Sequence, residues 1–169
     1  MPLLEERVSV TAPFSLADYT SRELILPRLE ERDAPGIIGE LSQVLQRHGC
    51  LPDVLPFYQS ALNQELDSSS ALECGIAIPH ARIKGITRLR FAFGRVEQPV
   101  IWGVKGSLSV QLVFLVAVPA SDGTAYLQLL ACLARLGRRP DLIAGLREAH
   151  SPEQIYTLLR RLNETQSRE

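Results

Sequence analysis

From residue 33 the apolar positions fall at helical spacing: Ile37, Ile38, Leu41, Val44 and Leu45, with Asp33 placed to cap the start and Gly49 to stop the end. A second amphipathic helix is predicted after Asp53, with Pro56 in its first turn and Leu55, Tyr58, Leu62 and Leu66 along one side, ending in a polar string at 67–70. Then the period shortens. Residues 75–79 (GIAIP) read as a short buried strand, 89–96 (LRFAFGRV) alternate with Leu89, Phe91 and Phe93 on one face, and 100–102 continue the pattern. Residues 108–118 become continuously apolar from Leu112, as a strand covered on both faces does, so this strand is predicted to be central. Upstream, the stretch 24–29 is interrupted by Pro27 and suits an edge strand.

After Pro119 the helical period returns, with Asp122 as candidate cap, Leu127, Leu130, Ala131 and Ala134 as the apolar stripe, and Gly137 as the stop. Another helix is expected over 141–149. A last one starts at a capping box made by Ser151, Pro152 and Gln154, with Ile155, Leu158, Leu159 and Leu162 buried. Helices, then strands, then helices, with short linkers, predict an α/β fold: a single domain whose mixed sheet is flanked by helices on both faces. Residues 1–19 read as an N-terminal tail, 20–163 as the domain and 164–169 as a polar C-terminal fringe.

A chain of 169 residues, 46% hydrophobic, is about one domain long and can bury a sizeable core. Eighteen Lys plus Arg against nineteen Asp plus Glu leave a formal charge of −1, so no global field favours a polyanion and nucleic acid is not an expected partner. Cys50, Cys74 and Cys132 are far apart and lack C-x-x-C spacing, which indicates neither a disulfide framework nor a zinc site and suits a reducing cytoplasm. The N-terminus carries Glu5 and Glu6 where a signal peptide would carry positive charge. The longest apolar run, 112–118, is far short of the roughly 20 residues of a membrane span, so no membrane insertion is expected.

Nucleotide-binding, zinc-protease and nucleophile-elbow motifs are absent, and no carboxylate pair argues for glycosidase chemistry. Chemistry must therefore be sought at the histidines. His48 falls at a helix C-terminus and His150 in a turn, where structural roles account for them. His80 follows Pro79 at the end of a short apolar strand, the position at which open α/β sheets present groups to ligands, and Arg82, Lys84, Arg88, Arg90 and Arg95 make its surroundings locally basic. An anionic ligand is favoured there. A backbone-bonded turn histidine is the plain alternative, and a thiol chemistry on Cys74 with His80 is a weaker one. Ser68, Ser69 and Ser70 add hydroxyls nearby.

The segment 65–82, ELDSSSALECGIAIPHAR, resembles the active-site segment of the enzyme IIA domains of the bacterial phosphoenolpyruvate-dependent sugar phosphotransferase system, in the mannitol/fructose and nitrogen-regulatory superfamily. The similarity continues through VQLVFLVAVP and YLQLLACLARL and covers about 20–163. It implies that His80 is a phosphohistidine site, accepting a phosphoryl group from an HPr-type phosphocarrier and passing it to an enzyme IIB or regulating another protein. Where the family carries an assisting arginine and a second histidine, this chain has Gln64 and Tyr126; these, with Ser69, Ser70 and Arg82, are the residues expected around the phosphoryl group. No IIB or IIC region is visible, the arrangement of the nitrogen-regulatory branch. The expectation is a free-standing cytoplasmic phosphocarrier with a regulatory output, requiring no cofactor and no metal. The alternative is a IIA-fold binding module without phosphotransfer activity.

Overall fold

The computed structural model describes residues 15–102, 108–121 and 123–164, with the side chains of 163 and 164 left out. Its first elements are two short 3-10 helices, Leu16–Tyr19 and Arg22–Leu24, and the two-residue strand β1, Ile25–Leu26. Helices α1, Ala34–Arg47, and α2, Val54–Asp67, follow, then strands β2, Ile76–Ala77, β3, His80–Ile83, β4, Arg90–Trp102, and β5, Leu108–Pro119. Helices α3, Gly123–Leu136, α4, Pro140–Glu148, and α5, Pro152–Glu164, complete the chain.

The caps read from sequence act as expected where they are described. The Asp33 carboxylate accepts from Gly36 N at 2.8 Å, Asp53 from Leu55 N at 3.4 Å, and Ser151 Oγ from Gln154 N at 3.1 Å, while Gln154 reciprocates by accepting from His150 N. Gly49 follows α1 with φ +78°, a left-handed conformation that glycine adopts without a Cβ penalty. Asp122 lies outside the described residues.

The sheet runs β1-β4-β5-β2, with β3 also paired to β5. β4 and β5 are antiparallel and the other pairs parallel, so the sheet is mixed and β5 is central. Alternation along β5 builds two cores. Leu112, Phe114, Val116 and Val118 pack with α3, α4 and α5, whereas Val113, Leu115 and Ala117 pack with α1 and α2. Helices thus cover both faces of one sheet.

Three expectations need correction. Residues 16–19, read as tail, form a 3-10 helix whose Leu16 is fully buried in the α3–α5 core. The segments 89–96 and 100–102 are one strand, joined across a register shift between Arg95 and Val100. Helix α2 buries Phe57, Ala61 and Glu65, leaving Leu55 and Leu66 exposed, and α3 buries Leu129, Cys132, Leu133 and Leu136, leaving Leu127 exposed. In addition, 80–83 forms a strand where the sequence pattern assigns no element.

Candidate functional site

β2 and β3 are two halves of one sheet edge. Ile76 and Ala77 pair with Leu112 and Val113, and His80 to Ile83 pair with Val116 to Pro119. Between them Pro79 has no N–H to offer a ladder, although its carbonyl accepts from Val116 N at 2.9 Å. The polar groups of Ile78 face the open edge, away from β5, and bond to side chains. Its N–H donates to Ser70 Oγ at 2.9 Å, and its carbonyl lies 3.1 Å from His80 Nδ1. A carbonyl only accepts, so this bond puts the imidazole proton on Nδ1 and leaves the lone pair on Nε2.

The His80 side chain is half-buried. Its ring meets the Tyr126 ring at 4.9 Å between centroids with a 39° tilt, which sets the first turn of α3 beside the imidazole. Arg82 shares the side of β3 on which His80 lies, because strand side chains repeat every second residue. Its Nη2 comes within 3.6 Å of where a Cβ on Gly123 would sit, at the start of α3. Burial pushes the Tyr126 phenol up to about 12, against the opposing pull of the Arg82 charge. Near neutral pH it is thus a protonated hydroxyl.

A neutral imidazole with an open nitrogen, a guanidinium and a helix N-terminus together suit an anionic group transferred to the ring. The remaining sequence candidates are dispersed. Gln64 is exposed and lines a shallow cleft with Asn63, Leu66 and Asp67. Ser69 Oγ accepts from Ala71 N at 3.2 Å. The Ser70 hydroxyl donates to Glu65 Oε1 at 2.7 Å, so it is committed inward.

The basic stretch also divides. Lys84 borders, together with Arg82, a groove lined by Pro52 and Pro56, whereas Arg88 donates to Asp18 O and buried Arg95 donates to Arg147 O, Pro27 O and Glu97. Only Arg82 of the five is placed by these contacts near Tyr126. The Cys74 Sγ lies 3.5 Å from where a Cβ on Gly137 would sit, packed against the α3–α5 core, which disfavours a thiol partnered with His80. Among the described residues there is no cluster of three potential metal ligands and no helix long and apolar enough to cross a membrane.

The residue that sequence reasoning passed over is Glu65. It is 4% exposed and accepts from Ser70 N and Ser70 Oγ at 2.7 Å and from Trp102 Nε1 at 2.9 Å. The available signal was its spacing, four and eight residues after Ala61 and Phe57, on a face that a search for apolar residues alone does not rank first.

A family model described as "Phosphoenolpyruvate-dependent sugar phosphotransferase system, EIIA 2" matches residues 18–162. The chain is 28% identical over 144 residues to the fructose-specific EIIABC component of Bacillus subtilis, covering 85% of this chain and 23% of that protein, so it spans about a quarter of that relative. It is 28% identical over 145 residues to a nitrogen regulatory protein of Bradyrhizobium diazoefficiens, covering 85% of this chain and 94% of that one. The fold is similar to the crystal structure of the nitrogen regulatory protein IIA-Ntr from Neisseria meningitidis, with a TM-score of 0.71 and 24% identity over 85% of this chain and 98% of that one.

Proposed function

The chain belongs to the EIIA 2 family of the phosphoenolpyruvate-dependent sugar phosphotransferase system, and from that premise we propose that it is a phosphocarrier whose His80 accepts a phosphoryl group from an HPr-type protein. The observation that carries the reading is the bond from His80 Nδ1 to Ile78 O, which directs the other ring nitrogen, Nε2, to act as nucleophile. In the transfer, the Nε2 lone pair forms the N–P bond while the bond from phosphorus to the donor's nitrogen breaks, and that nitrogen keeps the electron pair. Arg82 and the N-terminus of α3 stabilise the charge on the phosphoryl oxygens, and the Tyr126 hydroxyl supplies a neutral donor. Gln64, Ser69 and Ser70 are dispersed and take no part at the reacting atoms, and Ser70 acts at a distance through its bond from Ile78 N.

The phosphoryl group adds about −1.5 to −2 units of charge. On a chain with formal charge −1 this is a large local change, suited to switching a protein contact. The partner is thus an enzyme IIB or a regulated protein, in the manner of the nitrogen regulatory proteins to which the chain is similar, and the compartment is the cytoplasm.

The test is incubation with phosphoenolpyruvate, enzyme I and HPr, followed by assay for an acid-labile adduct on the native chain and on His80→Ala. Labelling of the native chain alone is expected. An adduct that persists in His80→Ala removes the assignment, and absence of an adduct on the native chain with an active HPr leaves a IIA-fold binding module.

A further inference from the structure

A buried carboxylate more than a dozen residues upstream in sequence is connected to the His80 ring by a chain of hydrogen bonds whose direction is dictated at every link. Glu65 sits on the core face of α2 with its carboxylate almost completely removed from water, a position that is costly unless its oxygens are hydrogen-bonded. Trp102 Nε1 and Ser70 N donate to Oε2, and the Ser70 hydroxyl donates to Oε1. A hydroxyl has one proton, and here it is spent on the carboxylate. Ser70 Oγ is left with lone pairs, and Ile78 N–H donates to it at 2.9 Å.

The Ile78 carbonyl in turn faces His80 Nδ1 at 3.1 Å and must accept. Neither polar group of Ile78 is held by a neighbouring strand, because Gly75 and Pro79 turn their carbonyls to β5 and the alternate residue Ile78 faces the open edge of the sheet. The orientation of the peptide that sets the imidazole tautomer is therefore supplied by Ser70, and Ser70 is oriented by Glu65.

We propose that Glu65, acting through Ser70 and the Ile78 backbone, is a positioning residue that holds His80 in the Nδ1–H tautomer. The functional consequence rests on the phosphoryl-acceptor reading above; the tautomer itself does not. In water a free histidine side chain favours the other neutral tautomer, with the proton on Nε2 and no lone pair there to attack phosphorus. The hydrogen-bond chain overcomes that preference before any donor protein arrives.

The test uses the full chain labelled with ¹⁵N at histidine, at a pH where imidazole is neutral, with exposed His48 and His150 as internal references. The native His80 ring is expected to show a protonated-type Nδ1 and an unprotonated-type Nε2. Ser70→Ala removes the acceptor of Ile78 N–H, and Glu65→Gln removes the acceptor that directs the hydroxyl; both are expected to move the two ring signals toward each other. Ser70→Thr keeps the hydroxyl and is expected to retain the native pattern. Phosphoryl acceptance from phosphorylated HPr is expected to fall about tenfold in Ser70→Ala, the loss of roughly one hydrogen bond's worth of positioning, and to recover in Ser70→Thr.

A native His80 protonated on Nε2 overturns the proposal. So does a folded Ser70→Ala with unchanged ring signals; if that variant fails to fold, unchanged signals in the nearly isosteric Glu65→Gln do the same. Ring signals that move in the variants of a chain HPr cannot label leave the positioning role standing and refute the acceptor reading.

Discussion

Gly75 is the residue at which the chain enters β2 and so the segment that presents His80. Its φ of +92° is one that L side chains rarely adopt, and a Cβ built there would lie 2.7 Å from Arg147 Nη2. The backbone cannot relax freely, because Gly75 O accepts from both Gln111 N and Leu112 N, and Gly75 N donates to Leu72 O at 3.0 Å. Gly75→Ala therefore has two separable costs. The backbone strain is about 1–2 kcal/mol. Displacing the exposed Arg147 side chain weakens its bond to Cys74 O, observed at 2.7 Å, for a further ~0.5–1.5 kcal/mol.

The sum is about 1.5–3.5 kcal/mol, or a drop of roughly 0.75–1.75 M in the urea midpoint at an m-value of about 2 kcal/mol/M. Trp102, the only tryptophan and 1% exposed, reports unfolding by fluorescence. Arg147→Ala alone is expected to cost about 0.5–1.5 kcal/mol, and in that background Gly75→Ala should retain only the strain component. A Gly75→Ala chain within about 0.5 kcal/mol of native stability would refute the argument from backbone conformation. An identical cost in both backgrounds would refute the argument from Arg147.

Phe114 is fully buried, with its ring 5.5 Å from Phe91 and 4.9 Å from Phe93, and Phe114→Ala is expected to lose about 3–5 kcal/mol in the same urea assay. Tyr126, pushed up to about 12 by burial, should ionise as a late step in phenolate absorbance that Tyr126→Phe removes. Because the fold favours the protonated phenol relative to an unfolded value near 10, the associated stability is complete below pH 10 and is lost as pH rises through about 12. Arg82→Gln should slow phosphoryl acceptance by about tenfold without a comparable loss of stability, since this exposed side chain supplies charge rather than packing; unchanged labelling kinetics would exclude it from the surround.

The elements were legible where local chemistry and tertiary packing agree. Asp33 and Asp53 cap the helices that sequence reading starts there, and the continuous apolar run of β5 identified the strand covered on both faces. The facing of helices was less legible. α3 carries Leu127, Leu129, Leu130, Leu133 and Leu136 with alanines between, so apolar residues occur around much of its circumference and spacing alone leaves its buried side open. On α2 the error has a different cause: the core face contains Glu65, whose burial depends on donors from Ser70 and Trp102 that lie on other elements. β3 was not legible as a strand because HARI, although it alternates, is only four residues long, follows directly on Pro79 and owes its conformation to pairing with β5.

That same dependence on partners explains how this sheet edge becomes a chemical site. A continuous edge strand would leave the outward N–H and C=O of Ile78 to solvent or to another chain, a liability that folded proteins limit. Here Pro79 interrupts the ladder, and the two outward groups of a single residue are divided between a serine behind the sheet edge and an imidazole in front of it. Satisfying the backbone and fixing the tautomer are consequently one event. A residue other than proline at 79 would give the ladder a donor facing β5, on the side opposite the outward groups of Ile78. Pro79→Ala is therefore expected to leave both the central β4–β5 pair and the His80 ring nitrogens native-like, and ¹⁵N signals that shift as in Ser70→Ala would show that the proline, rather than Ser70, sets the direction of Ile78 O.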